Sequence, residues 1–124
     1  MPRFVILRHD LSDRGLHWDF MLEFGDTLLT WALEREPAYE IEILANQLTN
    51  HRLEYLNYEG PVSAGRGTVS RFDSGDFRWH KNAEKEVLVH LNGEILRGTA
   101  SLQRMADTDQ RWLIRFSDES SSED

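Results

Sequence analysis

A mainly β fold is predicted by three features of this sequence: antiparallel strands closing or partly closing into a barrel of about eight strands, with at most one or two short helices. Short apolar or alternating runs recur from Phe4 to Phe116. Tight-turn signals separate them at Gly25-Asp26, Asp73-Ser74-Gly75-Asp76 and Asn92-Gly93. Only Ile41, Leu44 and Leu48 show helical spacing.

The elements follow in order. Phe4-Val5-Ile6-Leu7 is a short apolar run, expected as a buried strand leading to His9. Asp10 to Leu16, with Ser12, Asp13 and Gly15, reads as a loop. From His17 to Phe24 the residues alternate, with His17, Asp19, Met21 and Glu23 on one side and Trp18, Phe20 and Leu22 on the other. The apolar set is expected to enter the core, because successive strand side chains point to opposite faces. Gly25-Asp26 turns the chain into Thr27–Leu33, and Pro37 stops that run. Residues 41–48 are expected as a short helix, followed by His51–Tyr58, which closes at Gly60-Pro61. Beyond the glycine-rich loop Ser63–Gly67, strands are predicted at Thr68–Phe72 and Phe77–His80, flanking a turn at Asp73–Asp76. Glu86–Leu91 and Glu94–Leu96 flank Asn92-Gly93, and Thr99–Met105 and Arg111–Phe116 supply the last two strands.

With 124 residues, four Trp and six Phe, residues 1–116 suffice for one domain with a real core. Residues 117–124 hold four acids and no base and read as a solvated, disordered tail. Without those acids the net charge of −8 falls to −4, still acidic, which disfavours wrapping long duplex by charge alone. The 14 cationic residues comprise 12 Arg and 2 Lys, and arginine suits bidentate contact with a few phosphate oxygens. Such a balance fits a nucleic-acid terminus better than a long tract. No cysteine is present, so any metal relies on His and carboxylates. No apolar run approaches the length of a membrane span. The expectation is a cytoplasmic monomer with no membrane partner.

His9, His17 and Asp19 form the sharpest chemical candidate. Two imidazoles and one carboxylate on stiff strands make a divalent-metal mount that leaves positions open for water and substrate. Spacing alone leaves open that they are ordinary surface residues. His51 and Tyr55 could donate a proton to, or support, a phosphate oxygen; equally, His51 could cap the preceding helix and Tyr55 pack in the core. Ser63–Gly67 could cradle an anion but lacks Walker spacing, so turn-making is the simpler role. His80 and His90 lack a carboxylate at ligand spacing and read as structural.

Ordered blocks then carry a resemblance. They are His9-Asp10, His17-Trp18-Asp19-Phe20-Met21-Leu22-Glu23, Thr30-Trp31-Ala32-Leu33, His51-Arg52-Leu53-Glu54-Tyr55 and Tyr58-Glu59-Gly60. Gly65–Val69, Phe72-Asp73-Ser74-Gly75, Leu91–Gly98 and Trp112-Leu113-Ile114-Arg115 follow. The set resembles the 3′-phosphoesterase domain of bacterial DNA ligase D, which also occurs as a stand-alone protein. The resemblance implies a β-barrel using Mn²⁺, with Zn²⁺ or another divalent cation as alternatives, to remove a 3′-terminal ribonucleoside and then the 3′-phosphate. It implies His9, His17 and Asp19 as metal ligands, His51 at the scissile phosphate with Tyr55 beside it, and Arg35 as a basic residue after the Trp-Ala strand. Its implied partners are DNA or RNA–DNA 3′ ends and a repair ligase or polymerase on separate chains. Three departures stand out. The loop between the histidines is two residues longer than the family pattern, Met21 stands where the family has a phosphate-gripping Arg, and the region before His51 lacks an Arg that aligns with the family's other phosphate ligand. Arg14, Arg35, Arg52 and Arg66 are the candidate replacements. Two function classes therefore remain in view, a metal-dependent phosphoesterase and a metal-bearing module that binds ends without turnover, with a small-metabolite phosphoesterase behind them.

Overall fold

The computed structural model describes residues 1–119. Nine strands are seen among them: β1 (Arg3–Asp10), β2 (Leu16–Phe24), β3 (Thr27–Leu33), β4 (Glu42–Arg52), β5 (Gly60–Pro61), β6 (Thr68–Asn82), β7 (Glu86–Gly93), β8 (Arg97–Arg104) and β9 (Arg111–Asp118). Their order is β1-β2-β3-β4-β9-β8-β7-β6, and a β1–β6 ladder closes the ring. All ladders between these strands are antiparallel. This is the mainly β barrel expected from the recurring short apolar and alternating runs. The remaining regular pieces are two 3₁₀ turns, Ser12–Arg14 and Leu53–Asn57.

One face of each strand fills the interior. Phe4 and Ile6 of β1, Trp18, Phe20 and Leu22 of β2, and Trp31 and Leu33 of β3 meet Trp112, Ile114 and Phe116 of β9 across the barrel. The Phe20 and Phe116 rings lie 5.4 Å apart, and Trp31 meets Trp112 edge-on at 5.5 Å. Each such side chain contributes roughly 1.5–3 kcal/mol by leaving water. A second, smaller cluster forms on the outside. Val5, Leu7, Met21, Leu28 and Val69 are covered by Leu56, with Leu53, Tyr55, Tyr58 and Val62 packed around them. The segment after β4 thus folds back over the outer face of β1, β2 and β6.

Three local expectations are corrected. Residues 41–48 are not a helix; they begin β4, which pairs with β3 on one side and β9 on the other. Ile43 and Ala45 are buried at period two, whereas Leu44 is 37% exposed, so the apparent helical stripe does not face a core. Closing the ring requires a strand here, and pairing on both sides overrides the local pattern.

Asp73–Asp76 is not a turn either, because β6 runs straight through it. The Asp73 carboxylate is buried and accepts hydrogen bonds from the backbone N–H groups of Ser74, Glu94, Ile95 and Leu96, at 2.9, 2.9, 3.0 and 2.9 Å. A residue that looks turn-forming is in fact holding a different turn. That turn is the third correction. The β7–β8 connection is Glu94–Leu96, and Asn92-Gly93 belongs to β7. Gly93 is needed for close approach: a Cβ there would come within 2.5 Å of Asp73 Oδ2 and 2.8 Å of Phe4 Cζ.

β9 continues through Ser117 and Asp118, the first two residues of the acidic tail; the last five residues of the chain lie outside the described residues. No helix among the described residues is long and apolar enough to cross a membrane.

Candidate metal centre

The β1–β2 register sets His9 opposite His17 and Leu7 opposite Asp19. Because Trp18, Phe20 and Leu22 fill the interior, His17, Asp19 and Met21 must face outward. On β1, Val5 and Leu7 belong to the outer cluster, which places His9 on the same face. The three residues therefore meet on the outside of the barrel, at the edge of the outer cluster. One ligand atom from each lies within 4.8 Å of the others, and this is the metal-capable group of His, Asp and Glu found among the described residues.

Asp19 is 2% exposed and turns one oxygen to each imidazole. Oδ2 is 3.1 Å from His9 Nδ1, and Oδ1 is 2.7 Å from His17 Nδ1. His9 Nε2 donates to the Arg66 carbonyl at 2.6 Å, which assigns the neutral ring's proton to Nε2. The Nδ1 lone pair of neutral His9 then faces a carboxylate lone pair. A proton or a cation between them removes that repulsion. At the other oxygen the contact is short but lacks hydrogen-bond alignment, so His17 Nδ1 and Asp19 Oδ1 are both buried without a hydrogen-bonded partner. Buried ligand atoms brought close without a hydrogen bond between them, with an outer carbonyl fixing a ring, fit a divalent cation held by two nitrogens and a carboxylate.

Electrostatics agrees with that geometry. The Asp19 carboxylate hydrogen-bonded to His9 raises the imidazole above its ordinary 6.5; desolvation opposes this, and the Arg66 carbonyl adds to it. For Asp19 the largest single influence is burial, which pushes upward, yet His17 and His9 together outweigh it and hold the carboxyl below its ordinary 3.8. A pH dependence follows for the protein in EDTA. His9, raised on folding, stabilises fully below 6.5 and loses that contribution as pH rises through its raised value. Asp19, lowered on folding, stabilises above 3.8 and loses its contribution as pH falls through its lowered value. Denaturant unfolding of wild type against His9→Gln should therefore show its largest stability difference between pH 3.8 and pH 6.5. A difference that grows as pH rises above 6.5 would contradict this assignment.

His51 reaches the same face by a different route. On β4, Ile43 and Ala45 point inward, and Gln47 pairs with inward-facing Trp31, so continued alternation would send His51 inward too. A β-bulge intervenes: Thr30 pairs with Leu48, but Leu28 pairs with His51. The extra residue flips the register, and His51 joins outward-facing Leu28. Its Nδ1–H donates to the Thr49 carbonyl at 2.8 Å, leaving Nε2 free, and its ring meets Tyr55 edge-on at 5.7 Å.

An open cleft of about 220 Å³ collects these groups: His9, Asp19, His51, Tyr55, Arg52 and Arg66 line it, and Met21 is part of its wall. The candidate arginines divide. Arg66 is tied to Ser63 through its Nε and a terminal nitrogen at 2.9 and 3.1 Å, and it lines the cleft. Arg52 also lines it, paired loosely with Glu54 at 3.1 Å on an exposed surface. Arg14 donates to the Gly65 carbonyl at 3.3 Å and braces the loop rather than lining the cleft. Arg35 is exposed beyond β3 and lines neither this cleft nor the one beside His17. His80 and His90 pack against each other, at 6.3 Å between rings, away from both.

Sequence reasoning missed Thr49 and Asn50, which line the cleft, and Asn46 and Gln47, which line the neighbouring space beside His17. All four sit on β4. The period-two burial of Ile43 and Ala45 was the available signal, masked by the helical spacing of the leucines.

Comparison with known proteins gives the family. Residues 8–104 match the family model described as the DNA Ligase D 3′-phosphoesterase domain. The chain is 36% identical over 126 residues to the multifunctional non-homologous end joining protein LigD of Pseudomonas aeruginosa, covering 90% of this chain and 14% of that protein. It is 33% identical over 119 residues to the multifunctional non-homologous end joining DNA repair protein LigD of Mycobacterium tuberculosis, covering 89% of this chain and 15% of that protein. The chain thus spans about one-seventh of the length of these curated relatives. With the family model matched across most of the barrel and the outward His-His-Asp cluster inside the matched region, this chain belongs to the DNA ligase D 3′-phosphoesterase domain family.

Proposed function

We propose that this domain is a divalent-metal-dependent phosphoesterase that trims 3′ ends of DNA or RNA–DNA strands in end-joining repair, removing a 3′-ribonucleoside and a 3′-phosphate. The observation that carries the reading is the Asp19 carboxylate held between two Nδ1 atoms at the border of a cleft that also receives His51. His9, His17 and Asp19 would hold Mn²⁺, or another divalent cation, whose charge would polarise a phosphoryl oxygen and acidify a water.

The chain's own groups supply the rest. With Nδ1–H committed to Thr49, His51 presents Nε2 to the cleft, where it can hydrogen-bond a phosphoryl oxygen or hand a proton to the departing oxygen. Tyr55 packs against that ring and limits its rotation. Arg66 and Arg52 line the cleft, and their guanidinium groups would neutralise a phosphate, the role that Met21 cannot take. Arg14 supports Arg66 through the loop, and Arg35 is left to the approach of the strand.

The test is phosphate release from a 3′-phosphorylated primer by the purified protein with Mn²⁺. Release that disappears with EDTA and with His17→Ala supports the reading, and none at any Mn²⁺ concentration overturns it. One observation favours a second reading, an end-binding module without turnover. Met21 is 1% exposed and closes the cleft wall with a thioether where the family resemblance implies an arginine. Tighter binding of a 3′-phosphate strand than of a 3′-hydroxyl strand, with no phosphate released, would support the binder.

A further inference from the structure

A second cleft, of about 200 Å³, lies next to the first and shares Arg52, Tyr55 and Val62 with it. Its other lining includes Tyr58 and Pro61. The Tyr58 ring meets Tyr55 edge-on at 5.8 Å, so aromatic rings run in sequence from His51 through Tyr55 to Tyr58. The Tyr58 hydroxyl donates to the Pro61 carbonyl, and this pins the ring against the wall that the 3₁₀ turn and β5 create. Glu54 is the carboxylate lining this cleft, and its charge is offset by Arg52.

From this arrangement we infer that the second cleft receives a nucleobase: that of the terminal nucleotide, whose 3′ oxygen carries the phosphate to be removed, with Tyr58 as its stacking surface. This rests on the phosphoesterase reading. A pinned ring beside Pro61 and Val62 offers a face to any base irrespective of sequence, because every base has a π-face. Because the two clefts share three residues, one nucleotide can place its phosphate at His51 and its base against Tyr58. Arg52, on the shared border, lies where the chain's anionic backbone would cross.

The experiment compares two primers with Mn²⁺, one ending in a deoxyadenosine 3′-phosphate and the other in an abasic tetrahydrofuran 3′-phosphate. Wild type should favour the base-bearing strand by about tenfold in kcat/KM, carried by KM, in keeping with the stacking of one base. In Tyr58→Leu that ratio should fall towards one, and Tyr58→Trp should keep it. A ratio is indifferent to how much of a variant folds, and the wild-type ratio stands without any variant. Equal rates on the two strands in wild type, or an undiminished preference in Tyr58→Leu, overturn the inference while leaving the phosphoesterase reading intact. Absence of release from both strands overturns the phosphoesterase reading, and the inference with it.

Discussion

Asp19→Asn should fold yet bind Mn²⁺ at least about 100-fold more weakly than wild type, beyond the 10–100-fold range usual for changes outside the ligand shell. Asparagine keeps the shape of the side chain but offers one acceptor oxygen where the carboxylate offers two. Its amide would face an imidazole nitrogen with donors and leave the other ring without a partner. In a position 2% exposed, no water replaces the lost contact. Isothermal titration with Mn²⁺ measures the affinity, circular dichroism confirms the barrel, and release of 3′-phosphate should fall in step with occupancy. Binding of Mn²⁺ by the variant as tightly as by wild type would remove Asp19 from the ligand set and leave the metal proposal without its centre.

The second large effect lies away from the metal. Asp73→Ala should destabilise the protein by several kcal/mol, since each buried hydrogen-bonding group left without a partner costs roughly 1–3 kcal/mol. Four backbone N–H groups bond to the Asp73 carboxylate, three of them from Glu94, Ile95 and Leu96 in the β7–β8 turn. Without it, the N–H groups of Ile95 and the buried Leu96 lose this acceptor beside Gly93, while the Glu94 N–H keeps only its longer bond to the Ser74 carbonyl at 3.3 Å. The turn is close-packed: the absence of a Cβ at Gly93 is what lets Asp73 and Phe4 approach. Urea unfolding checks the prediction, with an unchanged slope showing that the loss lies in the native state. Asp73→Asn should cost less, since one amide oxygen retains part of the bonding. A loss below about 1 kcal/mol for Asp73→Ala, within the range of an ordinary surface change, would mean that the turn holds itself without the carboxylate.

What could be read from the chain was whatever depends on neighbours in sequence. The alternation from His17 to Glu23 sorts Trp18, Phe20 and Leu22 from His17, Asp19 and Met21, since a strand has only two faces. Gly25-Asp26 turns where a two-residue hairpin signal says it should. The absence of cysteine confines any ligand set to nitrogen and oxygen.

Tertiary structure decided whatever depends on partners far along the chain. The face on which His51 lies is set by a bulge in the pairing of β4 with β3, and alternation alone would turn it inward. Asp73 looks like a turn residue and instead serves a turn 21 to 23 positions away. Arg66 meets the site through its backbone carbonyl, 57 positions from the imidazole it orients. Burial, register and hydrogen-bond partners at such separations come from closing the ring, so no local pattern encodes them; the pairing of His17 with Asp19 on β2 was legible because two residues on one strand face need nothing but the strand.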